Sequence, residues 1–358
     1  MTARILVVGD PYCPSTILRD AFGALEATHE VTFADVVDEP SWLPTTPSEL
    51  RIKEYMGSPR QVIEHLDRHD ILVIQGAPVT DGVLAADPAL RLICCARGGP
   101  VNVDVGAATA RAIPVVTTPG KNADAVAELT IAFLVMLARR LPEVMRHVEG
   151  GGIFAHDNYE GARWFGHDLA GKVLGLVGYG QVGRRVAVRA QAFGLHVVAF
   201  DPFVDPASLI ADGVEPVDLE SLLRISDLVS LHARATAANS HLIGPDEVAR
   251  MKEGAFLVNT ARDTLIDEDA VLEGLRSGRL AGLAVDVISP SPAVGRHPLL
   301  DHPDVIVTTH IGGATYETLR HGGEMAAAEI ERFLRGDPLV NVADRAAVGP
   351  SGTPPIAR

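Results

Sequence analysis

The 358-residue chain has three cysteines, no basic run longer than a pair and no apolar run long enough to cross a bilayer. Each shortage removes a class of protein. Three cysteines cannot supply a disulfide framework, and Cys94 and Cys95 are neighbours in an apolar run where successive side chains face opposite ways. They read as small buried hydrophobes. A formal charge of −15 without clustered Lys and Arg argues against a nucleic-acid partner, because affinity for a phosphate backbone comes from concentrated positive charge. The most lipid-like stretch, Thr130 to Ala138, is about half a membrane span and is flanked by Glu128 and Arg139-Arg140. It is expected to be a buried helix, with no membrane partner. Met1-Thr2-Ala3-Arg4-Ile5-Leu6-Val7-Val8 enters a strand-like run with no charged n-region, h-region and cleavage pattern, so the expected location is cytoplasmic.

What is present is an alternation of strand and helix patterns, in a chain long enough for two domains. Strand-like runs fall at Arg4 to Val8, Val31 to Ala34, Ile71 to Gln75, Leu90 to Cys95 and Pro114 to Thr117. A second series falls at Val173 to Val177, His196 to Phe200, Asp227 to Leu231, Ala255 to Asn259, Ala281 to Asp286 and Asp304 to Thr308. The pattern predicts an α/β protein with two doubly wound parallel sheets. Asn122 to Val148 reads as a long helical stretch, kinked or broken near Pro142 and apolar nearly all round in its middle, which suits burial between domains or subunits. Thr315 to Leu334 reads as a final helix. Asp38 to Pro59, rich in Pro, Ser and Thr, is an insertion at a site rim or an oligomer contact.

Gly178-Tyr179-Gly180-Gln181-Val182-Gly183 lies directly behind the Val173 to Val177 run and opens a helical stretch. In a chain with 34 glycines the G-x-G-x-x-G alone is weak, and its context is what carries meaning. In such a turn one Gly permits the bend, one lets backbone approach a pyrophosphate and one lets helix pack on strand, while helix-end N–H groups face the phosphates. The next apolar run ends in Asp201, twenty-one residues past Gly180, where a carboxylate would accept hydrogen bonds from an adenosine ribose. Its charge would repel a 2′-phosphate, so the expected cofactor is NAD rather than NADP.

Ligands of an open α/β sheet sit outside the carboxyl ends of its strands. Three ionisable residues fall there: Arg262, Asp286 and His310. Alone, an Arg or His at a strand end is an ordinary surface residue, and Asp263 could be the simple partner of Arg262. Together they suit hydride exchange with a 2-hydroxy or 2-oxo acid. An Arg clamps a carboxylate bidentately, and a His can pass the hydroxyl or carbonyl proton near neutral pH. Glycines after His310 permit close approach of a ligand.

The chain resembles the D-isomer specific 2-hydroxyacid dehydrogenase family, the group that includes D-3-phosphoglycerate and D-lactate dehydrogenases and glyoxylate/hydroxypyruvate reductases. The matching residues are Asn122-Ala123, Val126-Ala127-Glu128, Leu169-Ala170-Gly171-Lys172, Asn259-Thr260-Ala261-Arg262, Asp286-Val287 and His310-Ile311-Gly312-Gly313. The resemblance implies a Rossmann NAD-binding domain (121–313) inserted into a flavodoxin-like substrate-binding domain (1–120 and 314–345), with 346–358 a disordered tail. It implies that Arg262 binds the substrate carboxylate and His310 is the acid/base. Gln181 and Val182 would meet the pyrophosphate, Thr260, Ala261 and Gly313 would line the cofactor, and Asp286 would contact its nicotinamide end. Backbone amides of Arg97-Gly98-Gly99 would hold the carboxylate from the other side. A homodimer is expected, and no metal is. One departure stands out: where the family has the Glu that pairs with the catalytic His, five residues past Asp286, this chain has Ser291. A hydroxyl can orient an imidazole but cannot stabilise imidazolium as a carboxylate does. Asp263 is one substitute. Because the family also includes NAD-binding corepressors, a regulatory role with weak or no dehydrogenase activity is the alternative. No regulatory domain is read after the final helix, so serine control of the phosphoglycerate type is not expected.

Overall fold

The computed structural model describes residues 2–152, 163–290 and 296–348. It divides into two compact units, Met1–Lys121 with Thr315–Arg358, and Asn122–Ala314.

In the first unit, β1 (Arg4–Gly9), β2 (Glu30–Asp35), β3 (Ile71–Ile74), β4 (Leu92–Cys95) and β5 (Val115–Val116) form one parallel sheet in the order β2-β1-β3-β4-β5. This is the flavodoxin-like order. Strand alternation sorts the core into two layers. Ile5, Val7, Val73 and Cys94 face the 15–19 and 316–335 helices through Leu18, Ile330 and Phe333, while Leu6, Val8, Ile74 and Cys95 face Val62, Val83 and Ala108. Cys94 and Cys95 therefore point to opposite faces, both buried and both free. The final helix, Tyr316–Arg335, starts at Thr315, whose side chain accepts from Thr318 N, and stops at left-handed Gly336. The disordered tail expected from 346 is contradicted at 346–348. Arg345–Ala347 form a 3-10 turn capped by Asp344, and Ala347 and Val348 are buried; 349–358 lie outside the described residues.

The 38–59 segment has little regular structure but is pinned by its polar groups. The Ser48 hydroxyl and the Arg51 guanidinium both donate to buried Asp104, and Lys53 N and Met56 N donate to the carbonyls of Val101 and Gly76. Its 53–56 stretch thereby crosses the carboxyl ends of β3 and β4.

The second unit holds a seven-stranded parallel sheet of β6 (Val173–Val177), β7 (His196–Phe200), β8 (Glu215–Pro216), β9 (Leu228–Leu231), β10 (Ala255–Asn259), β11 (Leu280–Val285) and β12 (Val305–Val307). Its order, β12-β11-β10-β9-β6-β7-β8, is the doubly wound dinucleotide order with one strand added at the edge. Only β8 has no counterpart in the sequence reading, since two residues carry no periodicity. The succession reverses between β6 and β9, which is where such sheets open a crevice for a ligand.

The helical stretch from Asn122 breaks earlier than Pro142. One helix ends at Ala138, Arg140 takes a left-handed φ of 54°, and a second helix runs Leu141–Glu149 with Pro142 in its first turn, where the missing N–H costs nothing. The apolar middle of the first helix is accounted for within this unit. Ile131, Phe133, Leu134 and Leu137 are buried in a core shared with Leu174, Val186 and Phe256. Among the described residues no helix is long and apolar enough to cross a membrane.

Candidate active site

The glycine turn joins β6 to the Gln181–Ala192 helix, and its three glycines are needed for three different reasons. Gly178 has a φ of 100°, and a Cβ there would lie 2.6 Å from Ala233 N behind β9. At Gly183 a Cβ would come within 2.3 Å of Gly178 O, so only a glycine lets the helix sit against the turn. Gly180 has open space over it. Gly180 O accepts from Arg184 N, which leaves the amides of Gln181, Val182 and Gly183 at the helix start without carbonyl partners in the helix. The Gln181 side chain is held by Arg185, which is itself paired with Asp124. Val182 packs on the core.

Asp201, just past β7, is fixed before any ligand arrives. Its Oδ2 accepts from Tyr179 N at 2.8 Å and its Oδ1 from Phe203 N at 2.9 Å, tying it to the glycine turn. Each oxygen retains a lone pair for a ribose hydroxyl.

Arg262 follows β10 and is placed by Asn259, which is fully buried. The Asn259 amide donates to Arg262 O at 2.8 Å, while its carbonyl accepts from Ala261 N at 3.0 Å. The guanidinium is exposed, bonded only to the neighbouring Ala261 O, and forms no ion pair among the described residues. Thr260 reaches the opposite way, to the hydroxyl of Thr130 at 3.1 Å. Asp263 pairs with neither Arg262 nor His310 among the described residues.

His310 is exposed with a φ of 61°, a left-handed backbone that side chains other than Gly rarely adopt. Buried Asp286 holds the loop around it. Oδ1 accepts from Thr308 Oγ1 at 2.6 Å and Ile311 N at 2.8 Å, and Oδ2 from Gly312 N at 2.7 Å. These donors bracket His310 on both sides. Gly313 lies close under the Asn122 side chain. Ser291 lies outside the described residues.

In the other unit, Gly98 and Gly99 follow β4 with open space above both, free to present backbone to a ligand. The Arg97 side chain is not free, since it donates to Glu54 O and Glu54 Oε2 at 2.7 and 2.5 Å.

One residue escaped the sequence reading. His232 directly follows β9 at the sheet's reversal point, beside Gly178, with Nε2 2.9 Å from Ser230 Oγ. The residue as a whole is half-buried, yet enclosure of its ring pushes imidazolium down to about 3, so it is neutral at physiological pH. Its signal was a polar pair, Ser230 and His232, on one face of an otherwise apolar strand end.

An open glycine, a helix start with unpartnered amides and a preset carboxylate fit a dinucleotide at the β6–β9 crevice, so this unit is a dinucleotide-binding domain of the doubly wound class. Residues 131–312 match the family model for the NAD-binding domain of D-isomer specific 2-hydroxyacid dehydrogenases, and the chain belongs to that family. It is 35% identical over 284 residues to D-3-phosphoglycerate dehydrogenase of Methanocaldococcus jannaschii, which covers 79% of this chain and 53% of that protein. The chain thus spans about half the length of the curated relatives it matches. Among solved structures it is similar to the TT0316 protein of Thermus thermophilus (TM-score 0.74, 31% identity, 95% of this chain and 100% of that one). A glyoxylate reductase from Paecilomyes thermophila is also similar (TM-score 0.72, 27% identity, 96% and 99%). NAD is the cofactor that family and site share.

Proposed function

We propose that this chain is an NAD-dependent D-2-hydroxyacid dehydrogenase acting on a small 2-hydroxy or 2-oxo acid. The observation that carries the reading is an exposed Arg262 behind β10, without an ion pair among the described residues, and an exposed His310 behind β12, on the same sheet edge as the glycine turn. When bound, NAD supplies hydride donor and acceptor chemistry at its nicotinamide. Asp201 holds the adenosine ribose and the Gln181–Gly183 amides hold the pyrophosphate. Arg262 clamps the substrate carboxylate with its planar fork and orients C2, and in the other unit the backbone at Gly98 and Gly99 is open to bind a carboxylate. During reduction His310 gives its proton to the carbonyl oxygen at C2, and during oxidation it takes the hydroxyl proton. The flavodoxin-like unit would then be the substrate-binding domain. NADH consumption with a panel of 2-oxo acids tests the reading. Tight NADH binding with no turnover across the panel would overturn it in favour of the regulatory alternative.

NAD should bind far better than NADP, because Asp201 would face the 2′-phosphate with both oxygens locked in place. Titration of both cofactors into wild type and Asp201→Ala should show the gap narrow by roughly 1–3 kcal/mol, the scale of charged hydrogen bonds. Equal affinities in wild type would refute the assignment.

A homodimer would use a different helix from the one its sequence suggested, since Ile131 to Leu137 are taken up within their own unit. On the Leu141–Glu149 helix, Leu141, Met145 and Val148 are exposed and spaced four and three apart, so they share one face. A dimer burying this stripe should appear by light scattering at micromolar concentration and dissociate in Met145→Glu; a monomeric wild type would refute it. All three cysteines are buried free thiols, which suits the reducing cytoplasm.

A further inference from the structure

Among the described residues, the two cations directly behind strands of the five-stranded sheet are already committed, while the exposed Lys53 on the stretch that crosses the edge is not. Arg97, two residues behind β4, places one guanidinium nitrogen on Glu54 O at 2.7 Å and another on Glu54 Oε2 at 2.5 Å. Its side chain is 20% exposed, against 65% for Glu54, so the arginine is the enclosed member. Lys121, behind β5, turns inward to donate to Ala96 O at 2.7 Å. Burial also holds its ammonium below the usual lysine range. Glu54 belongs to the stretch that crosses the ends of β3 and β4 through the Lys53–Val101 and Met56–Gly76 backbone bonds. It has a φ of 50°, an unusual backbone for glutamate that these contacts maintain. A carboxylate is thus fastened at the edge where the open Gly98 and Gly99 lie.

We propose that the Glu54–Arg97 pair selects against phosphorylated acids, so that the substrate is a small 2-hydroxy or 2-oxo acid with an uncharged, hydroxyl- or alkyl-bearing substituent. The proposal rests on the dehydrogenase reading for the reaction, but the selection itself acts on binding. A phosphate ester brings roughly 1.5 to 2 negative charges at neutral pH. Arg97 could meet it only by leaving Glu54, and the released carboxylate would then stand beside the phosphate as an uncompensated like charge. A neutral substituent meets no such repulsion, and a hydroxyl can donate to the exposed Glu54 carboxylate. Discrimination therefore comes from a repulsive element built into the rim. This separates the chain from its relatives named as D-3-phosphoglycerate dehydrogenases.

The test is calorimetric titration of D-glycerate and 3-phospho-D-glycerate into the full chain saturated with NADH, which offers neither acid a hydride acceptor, in wild type, Glu54→Gln and Arg97→Gln. Wild type should favour glycerate by about tenfold or more, the effect of one like-charge contact near a surface. Glu54→Gln keeps the side-chain shape and frees the guanidinium, so it should move the ratio toward the phosphorylated acid by about tenfold, an effect that weakens with added salt. Arg97→Gln should leave the phosphorylated acid disfavoured. A wild-type preference for 3-phosphoglycerate, as Lys53 would produce if it captured the phosphate, overturns the proposal. So does binding of neither acid, or a Glu54→Gln variant that loses both affinities equally, which is the signature of a purely structural latch. Preserved glycerate preference without turnover of any 2-oxo acid would instead remove the dehydrogenase reading and leave the selection standing.

Discussion

Replacing Arg262 by lysine should lower kcat/KM for the oxo acid by roughly 10- to 100-fold, the loss expected when a charged bidentate hydrogen-bond pair becomes a point charge. The position of the residue makes this sharp. Asn259, fully buried, fixes the backbone of 261–262 through both ends of its amide, so the side chain leaves the sheet edge in one direction. Its guanidinium forms no ion pair among the described residues, so lysine breaks no structural bridge, and thermal stability should change little. NADH affinity should also hold, because the ribose and pyrophosphate are assigned to Asp201 and the Gln181–Gly183 amides and not to this side chain. The measurements are steady-state kinetics, NADH titration and Tm on one preparation. Retained activity would mean that the carboxylate is held elsewhere; a matching fall in NADH affinity would place Arg262 on the cofactor instead.

The strands most easily read in the sequence were those whose apolar runs are bounded by strong punctuation. β6, β7 and β10 have the limits the pattern predicts, because Gly178, Asp201 and the Asn259 turn end each run abruptly. The glycine turn and the strand-end placement of Arg262, Asp286 and His310 were legible for the same reason, since a doubly wound sheet places such residues where its strands stop. What was hidden depends on distant partners. The helix break was read near Pro142, but its position at Arg140 needs a left-handed residue that no local propensity announces. The 38–59 stretch was visible only as an irregular insertion, because Glu54 acquires its meaning from Arg97, forty-three residues away. The apolar helix at 131–137 suggested a subunit contact because periodicity shows how much surface must be buried but not against what.

Asp286 shows how such hidden partners bear on chemistry, and Asp286→Asn is expected to have the largest single effect in the second unit. All three hydrogen bonds of this carboxylate go to the loop on either side of His310, and two come from backbone amides. An amide side chain presents one NH2 in place of an oxygen. Whichever way it turns, the NH2 faces an N–H of Ile311 or Gly312 and leaves that donor without its acceptor, at a cost of about 1–3 kcal/mol where the donor is the buried Gly312 amide. Rotation gives no escape, because Gly312 approaches so closely that a Cβ there would lie 2.8 Å from Asp286 Oδ2. The same bonds hold His310 in its left-handed conformation, which costs on the order of 1–3 kcal/mol and persists only while its surroundings enforce it. Once they weaken, the loop relaxes and the imidazole moves. A displacement of about 1 Å at a reacting group can cost about a hundredfold in rate, so kcat should fall by at least that much. Thr308→Val, which removes only the hydroxyl bond and leaves both backbone amides satisfied, should lose far less. NADH affinity decides between this loop-holding role and the nicotinamide contact that family resemblance implies. A largely unchanged dissociation constant alongside the fall in kcat means that Asp286 acts through His310. A loss carried by NADH affinity, with kcat at saturating cofactor preserved, means that the carboxylate serves the nicotinamide directly.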